Sequence, residues 1–152
     1  MSVFSHIVCC INLSENPDDV VQYVNDVAKQ NDAKLVVVRV STSSAEIMRR
    51  SSCLLEDMVK EHQKQNEAAF VEYVKKHFDG EPEIVLTEGN TETELLRVID
   101  KYCADLVIIG SMSTKGLFGG WLNKSPESII GKTRIPVLVI PNDLSLECTP
   151  DF

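Results

Sequence analysis

Five short runs along the chain are almost wholly apolar: residues 6–11 (HIVCCI), 34–40 (KLVVVRV), 83–87 (EIVLT), 105–110 (DLVIIG) and 136–141 (PVLVIP). They are rich in β-branched residues and lack the alternation of a half-exposed strand, which is the pattern of strands covered on both faces. Between them the period lengthens to that of a helix. Pro17 suits a first helical position, Asn16 can cap it, and Asp18 and Asp19 favour the positive end of the helix dipole. Val20, Val21, Val24, Val27 and Ala28 then share one face. Residues 46–78 carry a longer, heavily charged helical pattern whose apolar positions include Leu55, Val59, Ala69, Phe70, Tyr73 and Val74. Thr91 and Glu94 form a capping-box signature ahead of Leu95, Leu96, Ile99, Tyr102 and Cys103. Ser125, Pro126 and Glu127 open a last helix that runs to about residue 131.

Strand and helix therefore alternate from end to end. That order predicts a single-domain, doubly wound α/β fold: a five-stranded, mostly parallel sheet with helices on both faces. The domain takes in residues 1–141, and residues 142–152 form a polar, loosely held C-terminal tail. Such sheets bind ligands beyond the carboxyl ends of their strands, at the point where strand order reverses. The segments after residues 11, 40 and 110 are thereby singled out.

Composition narrows the field of functions. The 152 residues carry a net charge of −8, which argues against nucleic acid or an anionic membrane as the main partner. No segment approaches the roughly 18–20 apolar residues of a membrane span, and the first twelve residues lack the features of a secretory signal. A soluble, cytoplasmic protein is expected. Cys9, Cys10, Cys53, Cys103 and Cys148 are odd in number and match no metal-ligand spacing, so they read as reduced thiols.

Catalytic and phosphate motifs are scarce. Gly131-Lys132-Thr133 invites a P-loop reading, but Pro126 stands where that motif needs its first glycine. Gly131 reads instead as a helix terminator. Residues 89–94 (GNTETE) lack a second glycine at dinucleotide spacing and read as a helix start. His6, His62 and His77 all fall away from predicted strand carboxyl ends, which leaves no histidine-based triad. The acidic stretch from Glu46 to Glu72 alternates with Lys and Arg, as a solvated helix face does. No catalytic residue and no metal ligand is nominated.

The segment after the fourth strand, residues 110–128 (GSMSTKGLFGGWLNKSPES), is the most specific stretch. Together with IVCCINLSEN, KLVVVRV and the run from Asp105 to Pro141, it resembles the universal stress protein family over residues 5–141. The resemblance implies an adenine-nucleotide site in which a loop of pattern G-x-x-G-x9-G-[ST] holds phosphate, an acidic residue ends the first strand, and the second strand contacts adenine. Gly110 matches the first glycine and Val40 the adenine-contacting position. Ser113 and Asn123 replace the later glycines, Lys124 replaces the Ser/Thr, and Asn12 replaces the acidic residue. Ile11 and Leu13 flank Asn12, while Ser111, Lys115, Gly116 and Ser125 complete the nominated loop.

Each departure has a physical consequence. Side chains at Ser113 and Asn123 hinder the close backbone approach that glycine permits, and Asn12 can hydrogen-bond a nucleoside only without charge. Pro126 removes one N–H from the last helix's first turn, while Lys115 and Lys124 add cations beside a polyphosphate. The resemblance thus implies weak binding of ATP or AMP, with Mg²⁺ if ATP, a role in stress response or regulation, and at most slow ATP hydrolysis. It also implies a homodimer through Val137, Leu138, Val139 and Ile140. Two alternatives stand beside it. The bulky Leu117, Phe118 and Trp121 suit a loop that merely packs, and the protein is then a dimeric interaction module of the same fold that binds no nucleotide. A flavin or nicotinamide carrier ranks below both for want of a G-x-G-x-x-G signature.

Overall fold

The computed structural model describes residues 3–11, 17–41, 43–50, 56–110, 127–140 and 150–151. Its strands are β1 (His6–Cys10), β2 (Lys34–Ser41), β3 (Glu83–Glu88), β4 (Leu106–Gly110) and β5 (Val137–Ile140). Its helices are α1 (Pro17–Asn31), α2 (Ser44–Arg50), α3 (Glu56–His77), α4 (Thr91–Lys101) and α5 (Glu127–Ile130). The charged pattern of residues 46–78 thus appears as α2 and α3, with Leu55 and the proposed α1 cap Asn16 outside the described residues. The strands form one sheet in the order β3-β2-β1-β4-β5, and every pairing is parallel.

The sheet divides two cores. On one face Ile7, Cys9 and Ile11 pack with Val20, Val21 and Val24 of α1 and with Phe70 and Val74 of α3. On the other, Val8, Cys10, Val36 and Val38 meet Leu95, Val98 and Ile99 of α4 and Ile129 of α5. Double coverage explains why the strand sequences show no alternation. It also decides the chemistry of the paired cysteines. Cys9 and Cys10 point to opposite faces and are 0% and 2% exposed. Burial pushes both thiols up, Cys10 to about 12, so both serve as small apolar residues.

Local details depart from the capping expected at α4. The cap is Asn90, whose Oδ1 accepts the Thr93 N–H at 3.0 Å. Gly89, at φ +131°, turns the chain so that Asn90 lands in the extended conformation a cap requires. Thr91 is therefore already inside the helix and buried, and Glu94 pairs with Arg97 at 2.7 Å instead of closing a capping box. At the other end of the sheet, α1 and α4 each stop on a left-handed residue, Asp32 and Cys103, both at φ +50°. The following N–H groups of Ala33 and Ala104 reach back five residues to Ala28 and Ile99, each at 3.0 Å, and so satisfy orphan helix carbonyls. Asp105 then secures the start of β1 by accepting the Ser5 and His6 N–H groups at 2.8 and 3.1 Å. Among the described residues no helix is long and apolar enough to cross a membrane.

Candidate functional site

The strand order reverses between β1 and β4. From β1 the chain winds through α1 to β2 on one side, and from β4 through α5 to β5 on the other. The connections diverge there, and sheets of this kind bind ligands at the carboxyl ends of the strands beside such a switch point. Ile11 follows β1 directly, Gly110 ends β4, and Val40 lies one residue short of the end of β2. Three of the nominated residues are thus brought to the same end of the sheet. The rest, Asn12, Leu13, Ser111, Ser113, Lys115, Gly116, Asn123, Lys124 and Ser125, lie outside the described residues, as do Leu117, Phe118 and Trp121.

Gly110 has a reason to be glycine that the loop pattern does not reveal. A Cβ built on it would stand 2.9 Å from Ile11 Cγ2 and 3.3 Å from Val20 Cγ1. The missing side chain lets the first turns of α1 settle against the strand ends. Ile11 is 5% exposed and belongs to the α1-side core, whereas the half-buried Val40 packs against the α4-side core. The two side chains therefore lie on opposite faces of the sheet, and both are apolar.

The same end carries an ion pair that motif reading overlooks. Glu92, in the first turn of α4, is 8% exposed, and its Oε1 is bound by Lys132 Nζ from the turn after α5. Helical spacing hints at the burial: Glu92 leads to Leu95 and Ile99 at i+3 and i+7, on the apolar stripe. Lys132 is the lysine of the Gly-Lys-Thr sequence, and its ammonium is engaged by that carboxylate. Thr133 Oγ1 accepts the Ile135 N–H at 3.4 Å. Gly131 does follow α5, but it does not adopt the left-handed conformation of a glycine terminator. The turn closes because the N–H groups of Lys132 and Thr133 both donate to the Ile129 carbonyl at 3.0 Å.

The histidines stand elsewhere. His6 opens β1 at its amino end, His62 is exposed on α3, and His77 stacks on Tyr73 with centroids 4.2 Å apart. Tyr73 in turn donates to Asp18 Oδ1 at 2.5 Å; burial first, then this bond, pushes its phenol well up. Among the described residues no group of three or more His, Cys, Asp and Glu side chains could hold a metal. A cleft of about 840 Å³ opens at the opposite pole, the amino-terminal ends of the strands, beside Lys34, Leu35, Glu83 and Tyr102.

Strand β5 is one edge of the sheet and β3 the other. The Val107 N–H donates to the Pro136 carbonyl at 3.1 Å. By strand alternation, Leu138 and Ile140 then turn their backbone groups toward β4, and Val137 and Val139 turn theirs outward. Ile140 is 2% exposed, Val137 and Leu138 are half-buried against the two cores, and Val139 is 43% exposed. Of the four, Val139 has the most accessible side chain.

Comparison with known proteins agrees with this architecture. A universal stress protein in complex with cAMP is 17% identical, with a TM-score of 0.59 and coverage of 93% of this chain and 99% of its own. Universal stress protein UspA from Lactobacillus plantarum is 14% identical, with a TM-score of 0.65 and coverage of 92% and 99%. A member of the family from Burkholderia pseudomallei is 18% identical, with a TM-score of 0.59 and coverage of 93% and 98%. No curated protein matches the chain in sequence. The model of the universal stress protein family matches residues 4–141, from just before β1 to just after β5 and so across the switch point between β1 and β4. The chain belongs to the universal stress protein family.

Proposed function

We propose that the protein binds an adenine nucleotide, ATP or AMP, weakly at the carboxyl ends of β1 and β4, and that it acts in the cytoplasm in stress response or regulation. The observation that carries this reading is the switch point, where the ends of β1 and β4 meet beside the segment that departs from Gly110. A solved relative of the same fold holds cAMP, which adds support. The described residues fit such a ligand only in part. The half-buried Val40 leaves some apolar surface for a base, but Ile11 is buried in the core, the space beside Gly110 is filled by Ile11 and Val20, and Lys132 is held by Glu92. The polar grip on phosphate, and on Mg²⁺ if ATP is the ligand, therefore falls to Asn12 and to Ser111, Ser113, Lys115, Lys124 and Ser125. That division of labour is the reason for weak affinity. No general base is nominated, so hydrolysis is at most slow. Titration with ATP, ADP, AMP and cAMP, with and without Mg²⁺, tests the reading. Saturable binding in the micromolar to millimolar range is expected; no heat and no thermal shift with any of the four at millimolar concentration would overturn it.

The second reading, a dimeric interaction module that binds no nucleotide, is favoured by the packing role of Gly110. Under both readings the protein forms a homodimer through β5, because an apolar edge with outward backbone groups associates unless covered. Val139→Lys places a charge in that edge while leaving both cores intact. Sedimentation should show the parent chain as a dimer at micromolar concentration and the variant as a monomer. A monomeric parent or an unaffected variant would remove the β5 interface. We propose likewise that residues 142–152 are a tail outside the domain; truncation after residue 141 should then leave the unfolding midpoint unchanged, and a lowered midpoint would refute that division.

A further inference from the structure

We draw no further inference here: the strongest candidate, the groove between α3 and the edge strand β3 where Ala68, Val71 and Leu86 lie among lysines and glutamates, carries nothing, because its mixed charges favour no single partner chemistry and nothing in the structure shows what covers it.

Discussion

Replacing Gly110 with alanine separates a packing glycine from a phosphate-cradling one. The new methyl group would stand 2.9 Å from Ile11 Cγ2, closer than a Cβ normally approaches another carbon, with a further contact of 3.3 Å to Val20 Cγ1. Neither neighbour has room to retreat, since Ile11 and Val20 are 5% and 4% exposed in a close-packed core. Overpacking of this kind costs about 1–3 kcal/mol. Losing a strand glycine returns about 0.5–1 kcal/mol of backbone entropy, so a net loss centred on about 1 kcal/mol, and no more than about 2.5 kcal/mol, is expected. Urea unfolding should show it as a lower midpoint with an unchanged slope. The shortest contact is to a methyl branch on the Ile11 Cβ, and Ile11→Leu removes that branch while keeping the 3.3 Å contacts to Ile11 Cβ and Val20 Cγ1. In the double variant Gly110→Ala/Ile11→Leu, the two changes should therefore cost less than the sum of the single ones. If Gly110→Ala leaves stability within about 0.3 kcal/mol of the parent, or the double variant is strictly additive, the packing account of this glycine fails. Nucleotide titration of the same variant reads the other role. A cradle glycine would lose ligand affinity at little cost in stability, whereas the packing glycine should show the opposite balance.

Two further outcomes follow from the ion pair and from the helix ends. Lys132→Met removes the ammonium that binds the Glu92 carboxylate at an 8% exposed position. Breaking a buried pair costs about 3–5 kcal/mol, but Lys132 is itself 56% exposed, so about 1–3 kcal/mol is expected at pH 7. Without that ammonium the buried carboxylate binds a proton more readily than it does in the parent, so the deficit should shrink as pH falls from 7 to 5. Equal deficits at the two pH values, measured by urea unfolding, would refute that electrostatic origin. Cys103→Gly relieves a left-handed non-glycine residue at φ +50°. It should stabilise the protein by about 0.5–1 kcal/mol after the entropy of the added glycine is subtracted, and an unchanged or lower melting temperature would show that the conformation carries no strain.

Much of the architecture is legible along the chain because its cause is local. HIVCCI and DLVIIG announce strands covered on both faces, and Val20, Val21, Val24 and Val27 announce a helix lying against them, because strand and helix periods follow from backbone geometry within a few residues. Parallel topology follows almost as directly, since each strand is separated from the next by a helix. The switch point could accordingly be located from element order, and the family from residues 105–141. What the linear pattern could not supply are relations between distant residues. Asn90 rather than Thr91 caps α4 because of the backbone turn at Gly89, a matter of φ rather than of residue type. Gly110 matches a phosphate-loop letter, yet Ile11 and Val20 dictate its lack of a side chain, and they reach it only once β1, β4 and α1 have assembled. Lys132 looks like a phosphate-binding lysine until folding brings Glu92, forty residues away, within reach. Val137, Leu138, Val139 and Ile140 are equally apolar in sequence, but placement of β5 at the sheet's edge buries Ile140 and leaves Val139 accessible. Short-range periodicity writes the elements; contacts closed across long loops assign each side chain its task.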